Sequence, residues 1–144
     1  MNKHSRSKSG LFLMELIIVI MFFSISAAIC MRMFSTAKIR SDYSRDISNA
    51  SVIAQSCAES FKAYDGDISK TAAALEGAES KNAIKVFYDE EWNRTNSEKE
   101  AKYILTLVKS NENAYKDTGK IEVEKKSGDS LVEITVLSAH QKVG

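Results

Sequence analysis

The stretch SKSGLFLMELIIVIMFF, residues 7–23, joins a polar, basic leader to a long apolar run. The leader ends at Gly10, the run extends over residues 11–31, and Glu15 is the only charged residue inside it. A helix of these 21 residues spans about 31 Å at about 1.5 Å per residue, which matches the hydrocarbon core of a bilayer. The run therefore predicts a membrane-spanning helix that keeps one acid.

The charges that flank the run bear on its orientation. Lys3, Arg6 and Lys8 precede it without an acid, which favours a cytoplasmic N-terminus because basic residues tend to stay on that side of the membrane. Lys38 and Arg40, on the far side, oppose this preference. We expect a single span of the cytoplasmic (inner) membrane with an extracytoplasmic head.

A removable secretion signal is the ordinary alternative for a basic leader followed by an apolar stretch. Residues 26–28, Ser-Ala-Ala, resemble a cleavage site, but the apolar character continues to Phe34. A lipoprotein signal would need a small residue before its cysteine, whereas Ile29 precedes Cys30. We therefore expect the apolar helix to remain in the mature protein.

Gly10, the sequence LFLME at residues 11–15 and the uninterrupted apolar helix together resemble the class III signal of type IV pilins and pseudopilins. The resemblance implies that a prepilin peptidase cleaves between Gly10 and Leu11, and that Leu11 becomes the N-methylated first residue. It also implies a role for Glu15 in subunit registration, in which its carboxylate neutralises the Leu11 amine of a neighbouring subunit. An unpaired charge would be costly in the apolar core of a filament. The other interpretation of Glu15 is an interfacial residue without a partner.

The chain departs from the family pattern at two positions. The first residue after the expected cut is Leu11 rather than the usual phenylalanine, which follows as Phe12. Arg32 stands where many major pilins have a helix-kinking proline, and the chain has no proline at all. We expect a continuous helix, in which Ser24 and Ser26 introduce a local softening by bonding to its carbonyls. The departures favour a minor pilin or a pseudopilin over a major pilin.

Helical periodicity continues after the apolar run, on a different face. Gly66 favours a helix end at residues 65–66, since glycine adopts the left-handed conformation of a C-terminal cap. Asp67 is expected to cap a second helix over residues 68–77, which explains the acids at 65 and 67 better than a calcium loop lacking its other ligands. A stripe at spacings of three and four predicts packing on a sheet rather than in a coiled coil: Ile39, Tyr43, Ile47, Ala50, Ala54, Cys57, Phe61 and Tyr64.

The C-terminal half changes to a period of two. Apolar and polar residues alternate there, which is typical of strands with one buried face. Residues 127–129 predict a hairpin turn, and residues 117–119, Asp-Thr-Gly, predict the turn before it. We expect an α+β, pilin-like fold, in which a long N-terminal hydrophobic and amphipathic helix packs on an antiparallel sheet of about four strands. The predicted strands are residues 83–88, 102–109, 120–126 and 131–138.

Trp92 and the two cysteines are the remaining distinctive residues. Trp92 lies in a polar connection at residues 90–100, where a tryptophan either contacts a partner or, as we favour here, packs on its own domain. Cys30 and Cys57 would lie about 40 Å apart on one helix, beyond the limit of about 7 Å for a disulfide. We expect no intramolecular bridge.

Composition and motifs do not favour catalysis or nucleic-acid binding. From Ser35 onward the chain has 16 lysines and arginines against 18 aspartates and glutamates, whereas a nucleic-acid-binding domain has a concentrated basic excess. His4 and His140 lie near the ends, and the sequence has no phosphate-binding glycine loop, His/Cys metal spacing or paired nucleophile and base. We expect no enzyme, cofactor, metal or catalytic residue.

The resemblance implies a structural subunit of a type IV pilus-like filament, or of a pseudopilus for type II secretion or DNA uptake. Residues 1–10 would be the leader, residues 11–34 the membrane and filament-core helix, and residues 35–144 the head with the helix continuation. The implied partners are a prepilin peptidase, other pilin or pseudopilin subunits, an assembly platform protein and, before assembly, membrane lipid. The filament would then be at the cell surface. The alternative is a membrane-anchored extracytoplasmic binding module whose helix is not cleaved.

Overall fold

The computed structural model describes residues 5–113 and 116–139, so the leader residues Lys3 and His4 and the late residue His140 lie outside the described part. The chain divides into two compact units, Met1–Tyr43 and Ser44–Gly144. Its elements in chain order are α1 (Ser5–Ala63), α2 (Ile68–Leu75), β1 (Ala78–Ser80), β2 (Ala83–Tyr88), β3 (Arg94–Thr95), β4 (Tyr103–Asn113), β5 (Lys116–Lys125) and β6 (Ser130–Ala139).

Helix α1 is one uninterrupted element, as the absence of proline predicts. Ser24 and Ser26 donate hydroxyl hydrogen bonds of 2.8 and 3.0 Å to carbonyls four residues earlier, so their polar groups are satisfied within the helix. After the helix ends, the backbone N–H of Gly66 donates to the carbonyl of Phe61 over 2.8 Å. The left-handed cap residue is Asp65, with a φ of +51°, and Gly66 follows it with a φ of +74°, so the helix ends near the predicted place but the glycine lies one position after the cap residue.

Helix α2 begins as predicted and ends earlier. The side chain of Asp67 accepts a hydrogen bond of 3.1 Å from the backbone N–H of Lys70, which confirms the N-terminal cap. The last helical residue is Leu75, because Glu76 adopts a left-handed conformation with a φ of +51°. The N–H of Gly77 then returns to the carbonyl of Ala72 over 2.9 Å.

Within the described residues, the strands form one antiparallel sheet of six strands, in the order β1-β2-β4-β5-β6. The four predicted strands are confirmed and three of them are longer than predicted. Two short strands, β1 and β3, were not predicted, and both pair with β2. Strands of three and two residues are too short to show alternation, so the sequence carries no periodic signal for them.

The turn predicted at residues 117–119 is wrong, because these residues belong to β5 and pair with residues 109–111 of β4 near the hairpin end of the ladder. Tertiary packing explains the turn-like composition. A Cβ atom on Gly119 would lie 2.9 Å from Val136 and 3.1 Å from the ring of Phe61, so glycine makes room for the aromatic side chain of the helix. Asp117 forms an ion pair of 2.7 Å with Lys109 on the neighbouring strand. The predicted turn at residues 127–129 is confirmed by a hydrogen bond of 2.9 Å that closes the hairpin from Lys125 to Asp129.

The core of the Ser44–Gly144 unit lies between α1 and the sheet, which confirms the α+β fold with a long N-terminal helix packed on an antiparallel sheet. Three predicted stripe positions are wrong as core positions: Ile39, Tyr43 and Tyr64 are 67%, 53% and 40% exposed. Periodicity identifies which face of the helix is apolar but not how much of that face the sheet covers, so it did not exclude Ile39 and Tyr43. Tyr64 is exposed for a different reason, because it follows the last residue of the helix. The largest fully buried residues are Phe61, Ile84, Leu105, Leu107, Ile121 and Val123, with Ala50, Ala54 and Cys57 beside them.

Candidate functional site

The most distinctive surface of the chain is the N-terminal part of α1, which we call the apolar segment, residues 11–34. By length and composition this helix is able to cross a membrane, and its most apolar window has no buried residues. Exposed apolar surface of this extent is rare on soluble monomers and marks contact with lipid or protein. The exposed large apolar residues are Leu11, Phe12, Leu13, Met14, Leu16, Ile17, Ile18, Val19, Ile20, Met21, Phe22, Phe23, Ile25, Ile29, Met31, Met33 and Phe34.

Gly10 and Leu11, the residues of the predicted cleavage site, are exposed consecutive residues of α1. A Cβ atom on Gly10 would meet no other atom within 4 Å. Leu11 is 65% exposed. Packing within the described residues therefore does not require glycine at position 10, and both residues of the predicted site are exposed.

Glu15, the predicted registration residue, is exposed among apolar neighbours. It forms no ion pair with any residue in the described ranges 5–113 and 116–139. Its α-carbon lies four residues, about 6 Å along the axis, from that of Leu11. A carboxylate in an apolar environment is costly unless it finds a counter-charge or water, so Glu15 is available for a group from outside its own chain.

A second polar cluster, which we call the helix anchor, joins α1 to the sheet inside the Ser44–Gly144 unit. Lys125 on β5 forms an ion pair of 2.7 Å with Asp46, and the hydroxyl of Tyr103 donates to the same carboxylate over 2.8 Å. Burial tends to raise the pKa of Asp46, but hydrogen bonds from Lys125 and Tyr103 outweigh it and lower the pKa. Burial, reinforced by the contact with Asp46, raises the pKa of Tyr103. The cluster stabilises a charged Asp46 and a neutral Tyr103.

Trp92 belongs to the helix anchor and not to an exposed contact loop. Its ring stacks on that of Tyr103 with centroids 3.8 Å apart and planes at 16°. Its backbone φ of +65° is accommodated by a turn in which Asp89 accepts hydrogen bonds from the N–H groups of Glu91 and Asn93. The interpretation that Trp92 packs on its own domain is confirmed.

A buried ion pair closes the opposite end of the helix–sheet contact. The Lys109 ammonium group lies 2.7 Å from the Asp117 carboxylate and donates to the carbonyl of Gly66 over 2.8 Å. A polar cleft of about 650 Å³ opens beside this pair, and Tyr64 and Asn82 are among its lining residues. In the part of the chain that the structure describes, no three His, Cys, Asp or Glu residues are placed to hold a metal ion.

Both cysteines are free, as predicted. Cys30 is exposed in the apolar segment. Cys57 is fully buried under the sheet, and this burial raises the pKa of its thiol to about 12. A buried thiol that stays protonated is a packing residue rather than a nucleophile.

Comparison of the chain with protein-family models, curated proteins and solved structures gives no match. Sequence reasoning identified Gly10, Leu11 and Glu15, which share one exposed stretch of helix. It missed the helix anchor, because Asp46 and Tyr103 are 57 positions apart and carry no local pattern. The alternation in β5 and β6 indicated which of their residues face the core, but it gave no partner for an acid on α1.

Proposed function

We propose that this chain is a structural subunit of a type IV pilus-like filament or of a secretion or competence pseudopilus. It is made as a membrane-anchored precursor, cut after Gly10 and assembled through its apolar segment. The observation that carries the proposal is the coincidence, on the exposed N-terminal part of α1, of the exposed pair Gly10 and Leu11, the acid Glu15 and an apolar surface that continues to Phe34.

The apolar segment supports both stages of this function. In the membrane its side chains contact lipid, and in a filament they pack against the same segment of other subunits. Glu15 then meets the N-terminal amine that cleavage creates on Leu11 of a neighbouring subunit. Each subunit thus supplies one negative and one positive charge, and the two are paired between subunits in the apolar core. The head fold, a helix packed on an antiparallel sheet, is compatible with a subunit whose sheet stays outside the filament core.

Intact-mass analysis of the chain from membranes with and without a prepilin peptidase tests the proposal. We expect a mature protein that begins at methylated Leu11 when the peptidase is present and a full precursor when it is absent. Gly10→Val should block cleavage because the peptidase requires a small residue there, whereas Ser7→Val, the same side chain three positions earlier, should be cleaved normally. A precursor that stays intact beside an active peptidase overturns the proposal.

The competing function, an uncleaved membrane-anchored binding module, makes a different prediction for the same samples. The precursor would stay intact, and shearing of cells would release none of the chain. Shear release of the cleaved form, with none from Gly10→Val cells, would support the filament. An intact precursor that shearing leaves in the membrane would instead favour the anchored module.

A further inference from the structure

Three bases, and no acid, lie at and just after the C-terminal end of the apolar segment. Arg32, Lys38 and Arg40 are exposed on α1, and the sequence has no aspartate or glutamate between Glu15 and Asp42. None of the three forms an ion pair with a residue of the described ranges. Their charges are therefore not compensated within the chain.

The three bases surround the helix instead of marking one face. At about 100° per residue, Arg40 lies about 80° around the axis from Arg32, and Lys38 lies about 120° from Arg32 on the other side. A protein that docks on one side of α1 would leave at least one of these charges uncovered. A ring of lipid headgroups would meet all three.

The distances along the helix also fit a membrane surface. If residues 11–31 fill the hydrocarbon core, Arg32 is at its boundary and the α-carbon of Arg40 lies about 13 Å beyond Met31. Side chains on a helix tilt toward its N-terminus, which here is toward the membrane, and long basic side chains extend to the headgroup level. Arg32 and Arg40 also border a shallow groove over the smaller residues Thr36 and Ala37.

We propose that Arg32, Lys38 and Arg40 form a binding site for the phosphate groups of anionic phospholipids in the leaflet opposite the leader. This inference rests on the proposed membrane-anchored precursor. The contact holds the unassembled subunit at a fixed depth, and extraction into a filament breaks it. Anionic lipid therefore retains the subunit in the membrane until assembly.

Lipid selectivity of the full chain in nanodiscs tests the site. The discs contain phosphatidylcholine with a trace of spin-labelled phosphatidylglycerol or spin-labelled phosphatidylcholine, and every sample carries Lys3→Gln, Arg6→Gln and Lys8→Gln so that the leader contributes nothing. We expect a preference for phosphatidylglycerol that falls by up to about fivefold for each base removed from the site, the factor that corresponds to about 1 kcal/mol. The triple variant Arg32→Gln, Lys38→Gln, Arg40→Gln should show no preference.

The matched control is Lys81→Gln, Lys85→Gln, Lys116→Gln, which removes three exposed bases from the other unit and should leave the preference unchanged. An equal loss in this control, or a preference that survives in the site variant, overturns the proposal. If inorganic phosphate displaces the labelled lipid far better than chloride at equal ionic strength, the site binds free anions and the membrane assignment fails. Chemical crosslinking between two copies of the chain is measured on the same samples. If the site variant keeps its lipid preference but no longer crosslinks, the bases contact protein instead of lipid.

The outcome is separable from that of the proposed function. Lipid selectivity needs insertion only, whereas cleavage after Gly10 is scored by intact mass. A chain that prefers anionic lipid but is never cleaved would reject the filament and keep the lipid site. A chain that is cleaved and released by shear but shows no preference for anionic lipid would reject the lipid site and keep the filament.

Discussion

The hydroxyl of Tyr103 donates a hydrogen bond of 2.8 Å to the carboxylate of Asp46, which lies 57 positions earlier in the chain. With the ion pair from Lys125, this bond adds a charged contact to the apolar packing at one end of the helix–sheet contact. A partly buried carboxylate that depends on two partners makes the stability of the head sensitive to protonation. The first prediction uses that sensitivity.

Acid should destabilise the head through Asp46. Because its pKa is lowered in the folded state, its contribution is present above the unfolded pKa of about 3.9 and is lost as the pH falls through the folded value. Asp46→Asn should lower the free energy of unfolding by about 1–3 kcal/mol at pH 7. Below pH 4 this variant should lose less further stability than the wild type. Urea unfolding of residues 35–144 between pH 2 and pH 7 measures both. Asp42→Asn, which removes an exposed acid outside the helix anchor, is the control. The prediction is contradicted if Asp46→Asn loses as much unfolding free energy between pH 4 and pH 2 as the wild type does.

Alkali should destabilise the head through Cys57. Its pKa is raised from 9.0 to about 12, so the thiol ionises first in the unfolded chain, and stability should fall as the pH rises above about 9. Cys57→Ala should make the free energy of unfolding less dependent on pH between pH 8 and pH 10, below the range in which the tyrosines ionise.

Dithiothreitol should leave the wild-type melting temperature unchanged, since both cysteines are free. A large shift in reductant would reveal a disulfide that the structure lacks.

Gly119 should tolerate no side chain while Phe61 is present. An alanine there would place its Cβ atom 2.9 Å from Val136 and 3.1 Å from Phe61, and overpacking of this kind costs about 1–3 kcal/mol. Phe61→Leu opens space beside position 119, so the double variant should lose less stability than the sum of the two single variants. A double-mutant cycle by urea unfolding measures the coupling. Strict additivity would show that the ring of Phe61 does not limit this position.

Glu15→Ala should insert, be cleaved after Gly10 and fold its head, because none of these steps needs the carboxylate. Its recovery in sheared filaments should fall sharply, since the Leu11 amine of the neighbour would lose its counter-charge. Glu15→Gln should be intermediate because an amide bonds to an amine without neutralising it. Glu59→Ala, which removes an exposed acid elsewhere on α1, should assemble normally. The comparison uses cleaved protein in cells without the wild-type subunit, and normal assembly of Glu15→Ala there would reject the registration role.

Local signals in the sequence predicted local structure well. Asp67 caps α2, Gly66 follows α1, and Ile121 and Val123 point into the core, because each depends on a neighbour within a few residues. Residues 117–119 were misread because the requirement for Gly119 comes from Phe61, far away in the chain. The stripe on α1 likewise gave the correct face but not the point at which the sheet stops covering it. Long-range pairs such as Asp46 and Tyr103 have no signature in one sequence.

If the chain is cleaved after Gly10 as proposed, the position of this glycine inside α1 affects how quickly the precursor matures. A protease takes its substrate in an extended form, so the helix must fray at this point before the bond is cut. Glycine is about 1 kcal/mol less favourable than alanine in a helix, which raises the population of the frayed state about fivefold. In a chain that is cleaved there, Gly10→Ala would therefore slow maturation even in a peptidase pocket with room for a methyl group, since the more stable helix frays less often.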